Sequence, residues 1–127
     1  IGELYIQTPP IFSALKHKGK PLYELARNKN IDRNLLEKIS LLKSKEVSIY
    51  NLSLEDYAYP FFTIKAHVSK GTYVRSLAND IAKNLSTNAT TYKITRTKIG
   101  NISLENASSL DKINSIEDIK ENLKDTL

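Results

Sequence analysis

The chain has 127 residues, of which 40% are hydrophobic and 26% are charged, and these proportions predict one folded domain with a modest core. It contains no cysteine, which excludes disulfides and cysteine-ligated metals, and its two histidines, His17 and His67, lack metal-ligand spacing. No apolar run has the length of a membrane span, and the first residues lack a signal-peptide pattern, so we expect a cytoplasmic protein.

Positive charge is concentrated in one part of the sequence. The net charge is +5 and the isoelectric point is about 9.3, values that suit a polyanionic partner. Residues 16–45 hold nine basic side chains against three acidic ones, whereas acidic residues dominate the last twenty positions. A solvated basic face without a partner remains an equally simple interpretation of this pattern.

The first elements are predicted to be a strand and two short helices. Residues 1–7 have the pattern of a strand, which Pro9 and Pro10 end because neither has an N–H to donate. After an exposed basic loop, proline in the first turn and apolar spacing predict a helix over residues 21–27. Helical spacing predicts a second helix over residues 32–43.

Strands are predicted to follow. Residues 47–54 are rich in strand-forming residues, and their alternation changes phase, which indicates a bulge. Residues 62–68 alternate apolar and polar side chains, as a half-buried strand does. After a turn at 69–72, apolar residues at helical spacing predict a helix over residues 73–85.

The last part is predicted to contain a strand over residues 90–99 and a helix that begins after Ser115 as N-cap. Strand pairs mixed with helices predict an α+β fold with a mixed, mostly antiparallel sheet and flanking helices. The chain has no Met, and it begins within a predicted strand, so we expect it to be an internal piece of a larger protein.

The sharpest local pattern is the predicted strand–helix junction at residues 67–75, His-Val-Ser-Lys-Gly-Thr-Tyr-Val-Arg. Backbone N–H groups at a helix start favour anions, and Gly71 permits close approach of a ligand. Tyr73 can offer a flat ring, and Arg75 can hold a carboxylate through two parallel hydrogen bonds. The alternative is a surface turn whose tyrosine packs on the core and whose arginine pairs with a local acid such as Asp80.

A second pattern interleaves basic and aromatic residues. Residues 12–20 contain a phenylalanine and four lysines or histidines, and Tyr23 and Arg27 follow. Cations that meet phosphates and rings that stack on bases suit RNA. A mobile loop with solvated lysines would have the same pattern. The carboxylates are scattered, and none forms an evident pair for acid–base catalysis.

Both patterns extend into longer runs. Residues 7–27 are Gln-Thr-Pro-Pro-Ile-Phe-Ser-Ala-Leu-Lys-His-Lys-Gly-Lys-Pro-Leu-Tyr-Glu-Leu-Ala-Arg, and residues 69–77 are Ser-Lys-Gly-Thr-Tyr-Val-Arg-Ser-Leu. Together they resemble the TruB family of tRNA pseudouridine synthases, bacterial type. A weaker match lies at residues 89–96, where the family tends to have Leu-Arg-Arg and this chain has Ile-Thr-Arg. The resemblance covers essentially the whole chain, more loosely between residues 28 and 60.

This resemblance implies an enzyme that isomerises a T-loop uridine of tRNA, uridine 55, to pseudouridine after flipping the base, without metal or cofactor. Residues 1–127 would be the C-terminal part of its catalytic domain, with a thumb-like RNA-binding insertion at about 11–40 and no room for a PUA domain. The family's nucleophilic aspartate lies in a Gly-x-Leu-Asp-Pro motif that this sequence lacks. We therefore expect the piece alone to be inactive, to bind the tRNA T-stem loop, and to need no membrane, metal or obligate protein partner.

Carried over by position, Arg75 would pair with the nucleophilic aspartate and keep it ionised. Tyr73 would line the base pocket, and Ile94 would pack against the flipped base. The residues expected to contact RNA or to support the pocket are Phe12, Ser13, Lys16, Lys18, Lys20, Arg27, Lys70 and Arg96.

Two rival hypotheses remain open at the level of sequence. An RNA-guided archaeal or eukaryotic relative would have a run closer to Ser-Ala-Val-Lys-Arg after the double proline, where this chain has Ser-Ala-Leu-Lys-His. A non-catalytic RNA-binding module on the same scaffold would not require a Gly-x-Leu-Asp-Pro motif upstream.

Overall fold

The chain divides into two units of tertiary structure, Ile1–Thr91 and Tyr92–Leu127. The computed structural model describes residues 3–124, and each unit is treated by itself. The elements of the first unit are β1 (Leu4–Gln7), β2 (Lys16–His17), β3 (Lys20–Pro21), α1 (Leu22–Arg27), α2 (Arg33–Leu41), β4 (Lys45–Ala58), β5 (Phe61–Val68) and α3 (Val74–Asn84). Those of the second unit are β6 (Lys98–Ile99), β7 (Ile102–Ser103), two 3₁₀ turns (Leu104–Asn106 and Leu110–Lys112) and α4 (Ile116–Lys124).

A three-stranded antiparallel sheet in the order β1-β4-β5 organises the first unit. Leu4 lies opposite Ser48 and Gln7 opposite Lys45, while β4 and β5 form a long hairpin. The predicted bulge is confirmed, because the register of this hairpin shifts between Ile49 and Asn51 and again between Leu54 and Asp56. The helices and antiparallel strands confirm the predicted α+β class.

Residues 8–44 leave the sheet after β1 and return to it at β4, directly opposite the point of departure. Their first regular element is the short hairpin β2–β3, in which Lys18 and Gly19 have φ angles of 48° and 83°. Positive φ at both central residues is the geometry of a tight hairpin turn that matches the twist of its strands. The predicted helices follow as α1 and α2, and the Asp32 carboxylate caps α2 by accepting from Asn34 N–H at 3.0 Å.

The core of the first unit lies between the helices and β4. Its buried apolar side chains come from α1, α2, β4 and α3: Leu22, Leu36, Ile39, Val47, Ile49, Leu77, Ala78 and Ala82. Leu22 and Leu77 are fully buried, and burial of such a side chain contributes about 1.5–3 kcal/mol. This packing fixes α3, and with it the residues at the start of α3, against the segment that follows β1.

One predicted strand is wrong. Residues 90–97 have no regular structure, and only Lys98–Ile99 pair with Ile102–Ser103 in a minimal hairpin around Gly100. Residues 90–97 are rich in the β-branched residues that favour strands. A strand forms, however, only where a neighbouring strand pairs with its backbone N–H and carbonyl groups. Among residues 3–124, such a neighbour exists only for Lys98 and Ile99, the last two residues of the predicted strand.

The predicted final helix is confirmed as α4. The Ser115 hydroxyl accepts from Asp118 N–H at 3.2 Å, and the Asp118 carboxylate accepts from Ser115 N–H at 3.0 Å. This is the reciprocal arrangement of a capping box, which satisfies backbone donors that a helix start leaves unpaired. Among residues 3–124, no helix is both long and apolar enough to cross a bilayer.

Candidate functional site

The turn between β5 and α3 is held to the sheet by serine and threonine side chains. Ser69 N–H donates to the Ser48 carbonyl at 2.9 Å, and the Ser69 hydroxyl accepts from Ser48 N–H at 2.9 Å. The Thr72 hydroxyl donates back to the Ser69 carbonyl at 2.9 Å, and Gly71 takes a φ of 80°. The turn is therefore a fixed feature of the sheet end, with the exposed Lys70 at its outer side.

Tyr73 occupies the N-cap position of α3 without a side-chain cap of its own. The buried Gln7 side chain binds the backbone of this N-cap residue: its Oε1 accepts from Tyr73 N–H at 2.7 Å, and its Nε2 donates to the Tyr73 carbonyl at 3.1 Å. The Tyr73 side chain is half-buried, and Lys45 Nζ lies 5.9 Å from its ring centroid. A cation thus lies over one face of the tyrosine ring.

Arg75 lies in the first turn of α3 with an exposed side chain. Its guanidinium donates to the Phe12 carbonyl at 2.6 Å, across 63 residues of sequence. The two runs that were recognised separately in the sequence therefore meet in space at this bond. A guanidinium has several N–H donors in a planar fork, so one bond to a carbonyl leaves donors for an acidic group.

Asp80 is not the partner of Arg75. It pairs with Lys83 at 3.9 Å and lines an open cleft of about 620 Å³ together with Tyr5, Pro9 and Ser76. Burial raises the pKa of the Asp80 carboxyl, and Lys83 opposes that rise. The alternative in which Arg75 is tied up by this local acid is therefore wrong.

The Pro-Pro segment is attached to two helices by hydroxyl groups. The Ser76 hydroxyl donates to the Thr8 carbonyl at 2.8 Å, and the Ser40 hydroxyl donates to the Pro9 carbonyl. Prolines have no N–H and cannot continue a strand ladder, so the carbonyls of this segment lack strand partners. Hydroxyl groups from α3 and α2 donate to these carbonyls instead. The segment thereby carries Phe12 to the start of α3.

The predicted RNA-contacting lysines of the first run lie on the β2–β3 hairpin. Lys16, Lys18 and Lys20 are exposed there, and backbone bonds from Leu22 and Tyr23 anchor the hairpin base. The remaining predicted residues of this run differ among themselves: Phe12 is 47% exposed, Arg27 is exposed and lies 5.5 Å from the Tyr23 ring centroid, and Ser13 is buried with an unpartnered hydroxyl. Ser13 is thus the least accessible member of the predicted set.

Ile94 and Arg96 belong to the second unit, where both are exposed on the segment without regular structure. Over the described residues, no group of three or more His, Cys, Asp or Glu side chains is arranged to hold a metal ion.

Comparison with known proteins identifies the relationship that this geometry suggests. The model of the TruB family pseudouridylate synthase (N terminal domain) matches residues 1–74, which include the Pro-Pro run and the junction as far as Val74. The chain belongs to the TruB family.

Similar relatives are named tRNA pseudouridine synthase B. One, from Clostridium tetani, is 42% identical over 94% of this chain and 38% of its own length. Another, from Caldicellulosiruptor saccharolyticus, is 45% identical over 88% of this chain and 36% of its own length. A third, from Burkholderia mallei, is 40% identical over 91% of this chain and 35% of its own length. The chain thus spans little more than a third of each of these relatives.

Two residues of this TruB-family site were not predicted from the sequence. Gln7 is a polar residue whose side chain points into the protein from β1. In the sequence, only the alternation of exposed and inward positions from Leu4 to Gln7 could have indicated this burial. Lys45 lies opposite Gln7 in the sheet register, and the sequence alone does not specify that register.

Replacing Gly71 with alanine is expected to lower the free energy of unfolding by about 1–2 kcal/mol. Part of the loss is the cost of positive φ, and part arises because a Cβ at this position would collide with Lys45 Nζ and displace it from the Tyr73 ring. Gly19→Ala is the matched control, since Gly19 has a similar φ of 83° but open space around a Cβ. Denaturant unfolding of both variants tests this, and equal losses would show that Lys45 does not occupy the space beside Gly71.

Proposed function

We propose that this chain is part of a tRNA pseudouridine synthase that converts a T-loop uridine, uridine 55, to pseudouridine. The observation that carries the proposal is the bond from Arg75 to the Phe12 carbonyl, which joins the predicted catalytic-support residues to the segment that leads into the basic hairpin. Relatives of matching sequence are named tRNA pseudouridine synthase B, and that name favours a tRNA enzyme over an RNA-guided one.

In this proposal the chain supplies support for the nucleophile, not the nucleophile itself. Arg75 pairs with an aspartate from a Gly-x-Leu-Asp-Pro segment, which orients the carboxylate and keeps it ionised. Tyr73 lines the pocket for the flipped base, and Ile94 packs against that base. The reaction needs no metal or cofactor, since the carboxylate, the pocket and the flipped base provide all of its groups.

The thumb is proposed to consist of residues 11–40. It lies within the segment that leaves the sheet after β1 and returns at β4, and it presents a hairpin with three exposed lysines. A basic segment attached to the sheet at both ends can close over a T-loop while its lysines meet phosphates. Lys70 and Arg96 add contacts to RNA from outside the thumb.

The chain alone is expected to yield no pseudouridine from T-loop RNA, because its sequence has no Gly-x-Leu-Asp-Pro motif. We define the reconstituted enzyme as the Clostridium tetani relative in which the matching segment is replaced by this chain. It is expected to form pseudouridine, and an RNA with cytidine at the target position serves as the negative control. Product from the chain alone would refute the missing-nucleophile argument.

A non-catalytic RNA-binding module on the same scaffold is the second candidate, favoured by the exposed lysines of the β2–β3 hairpin, which suit RNA without requiring a nucleophile. The same experiment separates the two. Salt-dependent binding of T-loop RNA by the reconstituted enzyme without any product would favour the module and overturn the synthase.

A further inference from the structure

Gln7 is the most deeply buried polar side chain among the described residues, and nothing in the proposed reaction uses it. It is 1% exposed and belongs with Leu22 and Leu77 to the largest fully buried side chains. Burial of an amide is costly unless its donors and acceptor are paired, so this position must satisfy a specific set of partners.

The partners of the Gln7 amide define its orientation. Oε1 accepts from Tyr73 N–H at 2.7 Å, while Nε2 donates to the Tyr73 carbonyl at 3.1 Å and to the Tyr5 hydroxyl at 2.5 Å. The reversed amide would set Nε2 against the Tyr73 N–H, donor against donor. The network therefore admits one orientation, and in it both amide hydrogens are used.

These bonds act on the residue at which α3 begins. Tyr73 is extended, with φ −90° and ψ 107°, and its carbonyl also accepts the first helical bond, from Leu77 N–H at 3.0 Å. With both of its backbone polar groups bound to the Gln7 amide, Tyr73 has little freedom to rotate about φ or ψ. The direction of its Cα–Cβ bond, and hence of the ring, is set by the amide of a residue 66 positions away.

The position of Arg75 depends on the same hydrogen bonds between Gln7 and Tyr73. It follows Tyr73 by two residues in the first turn of α3, and its guanidinium reaches the Phe12 carbonyl, five residues after Gln7. Gln7 thus bonds the end of β1 to the start of α3, and Arg75 bonds the start of α3 to the segment that follows β1. A shift at Tyr73 would move both proposed catalytic-support residues together.

We propose that Gln7 is a positioning residue, whose side-chain amide holds the Tyr73 backbone so that Tyr73 and Arg75 are presented together to the flipped base and the nucleophile. This inference rests on the proposed synthase function for its kinetic consequence. Its structural part, the constraint on the Tyr73 backbone, stands on the hydrogen bonds alone.

Gln7→Met tests the proposal, because methionine has nearly the volume of glutamine but makes none of these hydrogen bonds. In the reconstituted enzyme kcat is expected to fall about 10- to 100-fold, while KM and the dissociation constant for T-loop RNA change less than about threefold. In the chain itself, amide hydrogen exchange at Tyr73 should accelerate at least about tenfold relative to Leu77 of the same helix. Gln7→Glu, which keeps an acceptor for Tyr73 N–H, is the second variant.

Ser44→Ala is the matched control, because Ser44 lies outside the proposed thumb. It removes another side-chain bond of the same segment, between the Ser44 and Thr8 hydroxyls at 2.9 Å, without touching Tyr73. It should lower the unfolding midpoint but leave kcat and the Tyr73 exchange rate near those of the parent.

Each outcome decides a separate point. A parent-like kcat in a folded Gln7→Met enzyme overturns the positioning role, and so does an unchanged rate of amide exchange at Tyr73. Failure of both Gln7 variants to fold also overturns it, because Gln7 would then be a purely structural residue. An inactive parent enzyme overturns the synthase function instead, and the exchange measurement then still tests the Gln7 constraint.

Discussion

Arg75→Lys in the reconstituted enzyme is expected to lower kcat by roughly 10²- to 10³-fold, with little change in the dissociation constant for RNA. The guanidinium already donates to the Phe12 carbonyl and has further donors in the same plane for a carboxylate. A lysine ammonium is a point charge on a flexible stem, so it cannot reproduce this forked geometry. Single-turnover measurement of pseudouridine formation at saturating enzyme gives the chemical rate directly.

The stability of the protein should hardly change in this variant, because the Arg75 side chain is exposed. Arg33→Lys, at the exposed start of α2, is the matched control and should retain the parental rate. A rate for Arg75→Lys within about threefold of the parent would show that the guanidinium does not orient the nucleophile, and would remove the central role proposed for the junction.

The triple variant Lys16→Gln, Lys18→Gln and Lys20→Gln is expected to weaken binding of T-loop RNA by about 10- to 100-fold near 0.1 M salt. All three side chains are exposed on the β2–β3 hairpin, so each can meet a phosphate. Each lysine that contacts a phosphate releases counterions, and the slope of log Kd against log salt concentration should therefore decrease by about 2 to 3. Titration of labelled T-loop RNA at several salt concentrations measures both quantities.

A control for net charge is available in the same chain. Lys43→Gln, Lys83→Gln and Lys112→Gln removes the same charge from positions outside the hairpin. It should weaken binding only slightly and leave most of the salt slope intact. Equal losses in the two triple variants would mean that the overall positive charge attracts RNA and that the hairpin has no special place in binding.

Most elements of the first unit were predictable because their signals are local. Apolar spacing and the positions of the prolines specify β1, α1 and α2 within a few residues, and the phase change in β4 marks its bulge. The strand predicted at residues 90–99 failed for the opposite reason. A strand needs a partner, and nothing in its own composition reveals whether one is present.

The sequence by itself determined the family, through two runs long enough to be specific, and it determined the α+β class and the candidate residues Tyr73 and Arg75. Only the tertiary structure decided what those residues touch. The sheet register brings Lys45 opposite Gln7, and the packing of α3 brings Tyr73 to the Gln7 amide and Arg75 to the Phe12 carbonyl. Contacts across more than sixty residues depend on how whole elements dock, a long-range free-energy balance that local propensities do not contain.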